Sequence, residues 1–159
     1  MHTLMDIDCG SGNYVLNLAN KLRFALGVES DPHLLNAAKN KLYARTGKIG
    51  YLNVSLENIN YHLTKNNFPK KFDCIISMNN KIASIINDDN LVSKLKLISK
   101  YLEKEGVFIL SVFNYNKLLK ENEYNFPVIT FSKGNKNFNF IRHIDIIDHD
   151  LLKYTSTVF

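Results

Sequence analysis

The chain has 159 residues, of which 45% are hydrophobic and 22% charged, a balance typical of one soluble globular domain with a single core. Seven glycines and three prolines are too few for a low-complexity chain, and no repeat is visible in the sequence. A formal charge of +5 and a pI of about 9.1 leave an anionic partner such as RNA possible, but the lysines are spread along the chain and nothing else supports nucleic acid.

The N-terminal residues, MHTLMDIDCGSG, contain neither the basic start nor the long apolar run of a signal peptide. The longest apolar stretch, Val107 to Phe113, is far too short to cross a bilayer. Two lone cysteines, Cys9 and Cys74, make neither a disulfide framework nor a metal-ligand cluster. We therefore expect a cytoplasmic protein with no membrane partner and no bound metal.

Apolar segments rich in β-formers alternate with segments of helical period over roughly residues 1–120, a pattern that predicts βαβ units and a parallel sheet. The predicted strands are Thr3 to Ile7, Phe24 to Val28, Ile49 to Val54, Phe72 to Ser77 and Val107 to Phe113. The predicted helices are Gly12 to Leu22, Pro32 to about Ala44 with Gly47 just beyond it, Ile59 to Leu63, and Asp89 to Glu105 with Gly106 as a cap. The fold class is thus α/β, with a Rossmann-like doubly wound sheet.

Residues 121–159 change character and predict an antiparallel extension, placed here as a lid over the carboxyl edge of the sheet. The expected strands are Val128 to Phe131, Phe138 to Ile147 and Leu151 to Phe159. Short polar turns at residues 132–135 and 148–150 are hairpin signals.

The loop after the first strand is the first candidate site, because open α/β sheets bind ligands outside the carboxyl ends of their strands. It contains Asp6, Asp8, Gly10 and Gly12. Glycines let a backbone approach a ligand closely, and the following helix offers free N–H groups. A tight strand-to-helix turn alone would also favour a Gly-x-Gly pair.

Glu29 stands nineteen residues beyond Gly10, at the end of the second strand, with Ser30 beside it. A carboxylate there can accept both hydroxyl protons of a ribose. The alternative is a surface glutamate that caps the next helix. The combination with the glycine loop favours the ribose role.

Polar residues also follow the third and fourth strands. Ser77 and Asn79 begin abruptly after a buried strand, where they either lie over the site or form a turn or helix cap. Ser55 and Leu56 follow the third strand, where a small polar and an apolar residue could flank a planar ring.

Together these segments resemble class I S-adenosylmethionine-dependent methyltransferases over roughly the first 120 residues. The matching segments are TLMDIDCGSGN, FALGVESDP, YLNVSLENI, FDCIISMNN and LEKEGVFILSVFNYNKLL. The finer likeness is to small-molecule N-methyltransferases of the glycine/sarcosine type, through Asn114-Tyr115 and the segment FNFIRHIDIIDHDLLKYT.

The resemblance implies S-adenosylmethionine as cofactor and methyl transfer to an unidentified acceptor, expected to be a small molecule. It also implies roles for single residues. Asp6 steadies the glycine loop, the backbone at Gly10 and Gly12 lies beside the amino-acid end of the cofactor, and Glu29 binds the ribose. Ser55 and Leu56 would border the adenine, and Asn79 would orient the acceptor or contact the methionyl part. Such catalysis can rest on proximity and electrostatic placement, so no catalytic residue is assigned.

The sequence departs from the family pattern in two ways. Asp8 stands where the first motif usually has glycine, and its carboxylate adds bulk and negative charge beside the pocket. This would weaken cofactor binding, or be tolerated because the cofactor's sulfonium and ammonium groups are cations. The chain also begins at the first strand and ends before the unit that completes a seven-stranded sheet, so we expect a fragment, or an edge completed by further segments or a partner. A catalytically inactive methyltransferase-like interaction subunit is the alternative function.

Other nucleotide and hydrolase sites fit the sequence less well. Gly12-Asn13-Tyr14-Val15 lacks the third glycine of a nicotinamide-binding loop, and no Gly-Lys-Ser/Thr forms a P-loop. DCGSGN is not a nucleophile elbow.

Overall fold

The computed structural model describes residues 2–42, 48–148 and 151–159. The chain forms two compact units, Met1–Val112 and Phe113–Phe159. Within these described ranges, no helix is both long enough and apolar enough to span a membrane.

The first unit is built on a parallel five-stranded sheet. Its strands are β1 (Thr3–Ile7), β2 (Phe24–Val28), β3 (Ile49–Leu52), β4 (Phe72–Ser77) and β5 (Leu102–Leu110), in the spatial order β3-β2-β1-β4-β5. The chain winds outward from β1 to β3, then returns to β4 on the other side of β1. This order confirms the predicted doubly wound fold and places the topological switch between β1 and β4.

In the described part of this unit, four α-helices connect the strands: α1 (Asn13–Leu18), α2 (Pro32–Asn40), α3 (Ile59–Lys65) and α4 (Asp88–Lys100). The Asp31 carboxylate accepts hydrogen bonds from the N–H groups of His33 and Leu34, which confirms the predicted cap of α2. The predicted end of α2 near Ala44, with Gly47 after it, lies outside the described residues. Helix α1 ends four residues earlier than predicted, because a 3-10 turn at Ala19–Lys21 replaces its last turn.

Apolar residues cover both faces of the sheet. One core cluster joins β1, β2, β3 and β4 with α3 and α4, and it includes Met5, Leu26, Leu63, Phe72 and Ile98. The second joins Ala25 of β2 with Val15 of α1 and Leu35 of α2. The sheet is therefore sandwiched, and its carboxyl edge is where polar groups can gather.

The predicted helix from Asp89 to Glu105, with Gly106 as its cap, is wrong at its C-terminal end. Helix α4 stops at Lys100, where the Tyr101 N–H bonds the carbonyls of Ile98 and Ser99. Leu102 then pairs with Phe72, and the register of β4 and β5 shifts before Val107. Gly106 lies in this irregular stretch, where a Cβ atom would come within 3.0 Å of the Phe72 carbonyl oxygen.

The second unit contains a helix, α5 (Tyr115–Glu121), and an antiparallel sheet in the order β6-β7-β8. Its strands are β6 (Ile129–Lys133), β7 (Lys136–Asp148) and β8 (Leu151–Val158). The predicted antiparallel extension is confirmed, whereas α5 was not predicted. Gly134 has φ +60° at the tip of the first hairpin, and the second predicted turn includes His149 and Asp150, which lie outside the described residues.

Gly12 is enclosed by the core. It has φ +72°, and an added Cβ would collide with the Tyr51 hydroxyl and lie 2.9 Å from Cβ of Ala38. Gly12 is thus required by packing beneath α1, as well as by its backbone conformation.

We expect Gly12→Ala to lower the free energy of unfolding by roughly 2–4 kcal/mol, through left-handed backbone strain together with overpacking. Gly134→Ala is the matched control, because its φ of +60° is similar but an added Cβ meets open space. It should cost only the backbone strain, about 1–2 kcal/mol. Urea unfolding followed by circular dichroism measures both, and equal losses would contradict the packing argument.

Candidate functional site

The loop between β1 and α1 lies at the switch point of the sheet. The Cys9 N–H bonds the Val28 carbonyl at 3.0 Å, and the Gly12 N–H bonds the Cys9 carbonyl at 3.0 Å. Asp8, Gly10 and Gly12 all have positive φ, at 56°, 56° and 72°. This backbone turns tightly at the carboxyl edge, in the place where the sequence predicts a ligand.

Glu29 fastens the loop to the end of β2. Its Oε2 accepts a hydrogen bond from the Gly10 N–H at 2.8 Å, and its Oε1 accepts one from the Asp31 N–H at 2.9 Å. The side chain is buried, with 4% of the residue exposed. The alternative of a surface glutamate capping α2 is therefore wrong, because Glu29 is buried and Asp31 is the cap. Each carboxylate oxygen keeps a further lone pair for another donor.

Asp6 is a buried carboxylate beside the same loop. It is 1% exposed, and among the residues that the structure describes its Oδ2 has no hydrogen-bond partner. Burial, followed by the negative charges of Asp8 and Glu29, raises the pKa of Asp6 to about 7. The expected role of Asp6 in steadying the loop stays a prediction; the Gly10 N–H donates its hydrogen bond to Glu29. The unpartnered oxygen suits a cationic ligand group.

Asp8 is paired with a lysine that the sequence did not single out. Its Oδ2 lies 3.3 Å from Nζ of Lys94 on α4, and the side chains of Asp8 and Lys94 are only 31% and 21% exposed. The negative charge expected to weaken cofactor binding is therefore balanced within the protein. No local pattern links two residues that are 86 positions apart.

A second lysine holds the far side of the loop. Lys41 Nζ donates to the carbonyl and the hydroxyl of Ser11 and to Oδ1 of Asn13, each at 2.9 Å. Lys41 follows α2 and had no sequence signal of its own. The loop is thus held at Asp8, at Gly10 and at Ser11.

The two loop glycines differ in their surroundings. An added Cβ at Gly10 would meet nothing within 4 Å, in contrast to the enclosed Gly12. The open side of Gly10 is the place where a ligand can approach the backbone closely.

The residues after β2 and β3 lie along the same edge of the sheet. Asn53, which sequence reasoning missed, donates from Nδ2 to the carbonyls of Glu29 and Ser30 at 2.9 and 3.0 Å. Ser55 precedes a 3-10 turn at Leu56–Asn58, and Leu56 itself is buried in the core. Ser30 is exposed.

The residues after β4 form a turn. Ser77 is buried, and its carbonyl accepts a hydrogen bond from the Ser111 N–H at 3.1 Å. Asn79 is exposed with φ +59°, and its N–H donates to the Ser111 hydroxyl at 3.3 Å. Asn79 thus takes part in a turn, one of its two expected roles, and its contact with a ligand stays a prediction.

A cavity of about 720 Å³ lies beside α4, and Lys94 is part of its wall. The lining combines polar and apolar residues, among them Glu57, Ile85, Asn87, Asn90 and Leu97. Lys94 therefore borders both this cavity and the glycine loop.

The known sequences that match this chain are methyltransferases. A family model described as a methyltransferase domain matches residues 2–153. The ribosomal protein L11 methyltransferase of Thermosipho africanus (strain TCF52B) is 34% identical over 146 residues, which cover 88% of this chain and 43% of that protein. The chain therefore spans less than half the length of this relative.

Solved structures share the fold. An S-adenosylmethionine-dependent methyltransferase from Clostridium acetobutylicum ATCC 824 matches with a TM-score of 0.66 and 23% identity, over 98% of this chain and 64% of that one. The sugar N-methyltransferase KedS8 from Streptoalloteichus sp ATCC 53650 matches with a TM-score of 0.68 and 17% identity, over 99% and 64%. Both likenesses extend through the antiparallel unit.

The raised pKa of Asp6 predicts a stability that falls with pH. The fold favours protonated Asp6, so its contribution is complete below about pH 4 and is lost as pH rises through about 7. We expect the free energy of unfolding of Asp6→Asn to rise relative to wild type by roughly 2–4 kcal/mol between pH 4.5 and pH 8.

Urea unfolding at several pH values measures this difference. Glu105→Gln is the control, because it removes a carboxylate from an exposed position. A pH-independent difference for Asp6→Asn would mean that Asp6 is already ionised in the folded protein.

Proposed function

Because the chain belongs to the class I S-adenosylmethionine-dependent methyltransferases, we propose that it transfers the cofactor's methyl group to a small-molecule acceptor. S-adenosylmethionine is the cofactor of this family. The observation that carries the proposal is the buried oxygen of Asp6, which has no partner among the described residues, beside the open face of Gly10 and the Glu29 carboxylate.

These residues fit the cofactor chemically. Asp6 offers negative charge to an ammonium or sulfonium group, which would keep its carboxylate ionised. The remaining lone pairs of Glu29 can accept from ribose hydroxyls, and Gly10 leaves room for close approach. The proposed site also includes Gly12, which shapes the loop, and the edge residues Asp8, Ser30, Ser55, Leu56, Ser77 and Asn79.

The bound cofactor supplies an electrophilic methyl group on a positively charged sulfur. The protein's contribution is to hold and orient the two reactants, since fixed geometry alone removes much of the barrier to a bimolecular displacement. Asp6 and Glu29 lie in surroundings with little water, where their charges act more strongly than in solvent. No side chain has to form a covalent bond, so the proposal assigns no catalytic nucleophile.

Two similarities bear on the acceptor. The likeness to the sugar N-methyltransferase KedS8 covers 99% of the chain, including the antiparallel unit, and it supports a small molecule. The relative from Thermosipho africanus is a ribosomal protein L11 methyltransferase by name, which makes a protein acceptor the alternative outcome. The retained Glu29–Gly10 bond and the Lys94 counter-charge support a working cofactor site over an inactive interaction subunit.

The proposal includes a reducing, cytoplasmic setting, supported by the free thiols of Cys9 and Cys74. It also includes completion of the β5 edge by a partner or by further chain. Val107 and Ile109 on this edge strand are 55% and 48% exposed, which supports a covering element.

Gly10→Ala tests the cofactor site. We expect it to weaken binding of S-adenosylmethionine and S-adenosylhomocysteine at least about tenfold, because a methyl group would occupy the open face of the loop. Gly134→Ala is the matched control, with φ +60° against +56° at Gly10 and equally open surroundings. Calorimetry measures binding, with NAD as the negative ligand.

The comparison isolates the effect on binding if Gly10→Ala and Gly134→Ala lower the free energy of unfolding by a similar amount. A wild-type protein that is folded but binds neither ligand would refute the proposed function, and equal affinity in Gly10→Ala would remove Gly10 from the site.

The acceptor is tested by transfer of a labelled methyl group from S-adenosylmethionine. We expect label in a panel of small amines, including amino sugars, and none in ribosomal protein preparations. Label confined to protein would contradict the small-molecule acceptor while leaving the cofactor site in place.

A further inference from the structure

Asp8 adopts a backbone conformation that usually requires glycine. Its φ is +56°, in the left-handed region, where most side chains strain the backbone and where Asp is one of the few tolerated residues. Its carboxylate also joins those of Asp6 and Glu29 around one short loop. Both effects oppose the folded loop, so a compensating interaction is needed.

Lys94 supplies that interaction. Among the described residues, Asp8 is the one of these three carboxylates that forms an ion pair, and Lys94 is its partner, with Nζ 3.3 Å from Oδ2 of Asp8. The side chains of Asp8 and Lys94 are about two thirds and four fifths shielded from solvent, so salt screens the pair less than it screens a surface pair. Lys94 belongs to α4, which is anchored to the core through Ile98.

We propose that Lys94 is a positioning residue of the cofactor site, which together with Asp8 replaces the glycine of the family's loop motif. The pair holds the Asp8 carboxylate against Lys94 of α4, where its charge is balanced. The inference rests on the proposed function, because it assigns to Lys94 the task of keeping the loop ready for S-adenosylmethionine.

The proposal predicts a specific coupling between two substitutions. Lys94→Met leaves Asp8 unpaired, so the repelling carboxylates loosen the loop and affinity for both cofactor forms falls roughly tenfold. In the Asp8→Gly background, Lys94→Met should change affinity by less than about twofold. Lys94→Arg keeps the charge and should retain most of the affinity.

Calorimetric titration of wild type, the single variants and the double variant with S-adenosylmethionine and S-adenosylhomocysteine measures this coupling. Lys96→Met is the matched control, since it removes an exposed lysine from the same helix. An equal effect of Lys94→Met in both backgrounds, or tighter binding in the Lys94→Met protein, would overturn the proposal.

Hydrogen exchange of the cofactor-free protein separates this inference from the proposed function. The Gly10 amide is bonded to Glu29 and should exchange about tenfold faster in Lys94→Met, but not in Lys96→Met. Acceleration would support the positioning role even if wild type binds neither ligand, in which case only the proposed function fails. An unchanged Gly10 exchange rate would overturn the positioning role.

Discussion

The hydrogen bond from the Gly10 N–H to the Glu29 carboxylate is the interaction on which the rest of the site depends. It joins the ends of β1 and β2 across the sheet, and it forms in a buried place where an unmade bond would be costly. The Asp31 N–H occupies the other oxygen of Glu29, and Asn53 holds the Glu29 carbonyl. One carboxylate thus sets the shape of the glycine loop, the start of α2 and the position of any group that reaches it.

The buried carboxylates around the glycine loop lower the stability of the free protein, but they provide a site for a cationic ligand. Asp6 gains no hydrogen bond at Oδ2 from the described part of the protein, and neighbouring carboxylates oppose its ionisation. A core selected for stability alone would place an apolar residue here. A ligand that carries positive charge relieves the repulsion, so the cost in the free protein becomes a source of affinity and selectivity. Lys94 relieves it only at Asp8, which leaves Asp6 available.

Hydrophobic pattern and glycine spacing predicted the parts of this molecule that are encoded locally. The buried strand Phe72 to Ser77 was located without error. The spacing of Glu29 from Gly10 drew attention to both residues, but it predicted a ribose ligand for Glu29 and not the hydrogen bond between them. The error at Leu102 arose because leucines at helical spacing continue past the true end of α4, and pairing with Phe72 overrides that pattern. Lys94 and Lys41 could not be predicted, because their partners come from distant segments and single lysines look like solvent-exposed residues.

The edge strand of the parallel sheet affects the tendency of the protein to aggregate in concentrated solution. Within the described sheet, β5 is an edge strand, two positions from β1, and its side chains Val107 and Ile109 are exposed. Backbone groups beside apolar side chains are a template for strand addition, so concentrated samples have a route to ordered aggregates that involves no ligand. Where no partner or further chain covers this edge, lysine substitutions at these exposed positions would improve solubility and leave the carboxylate cluster untouched. Aggregation thus depends on the edge strand β5, whereas ligand binding depends on the carboxyl ends of the strands. The two properties can therefore be changed independently by substitution.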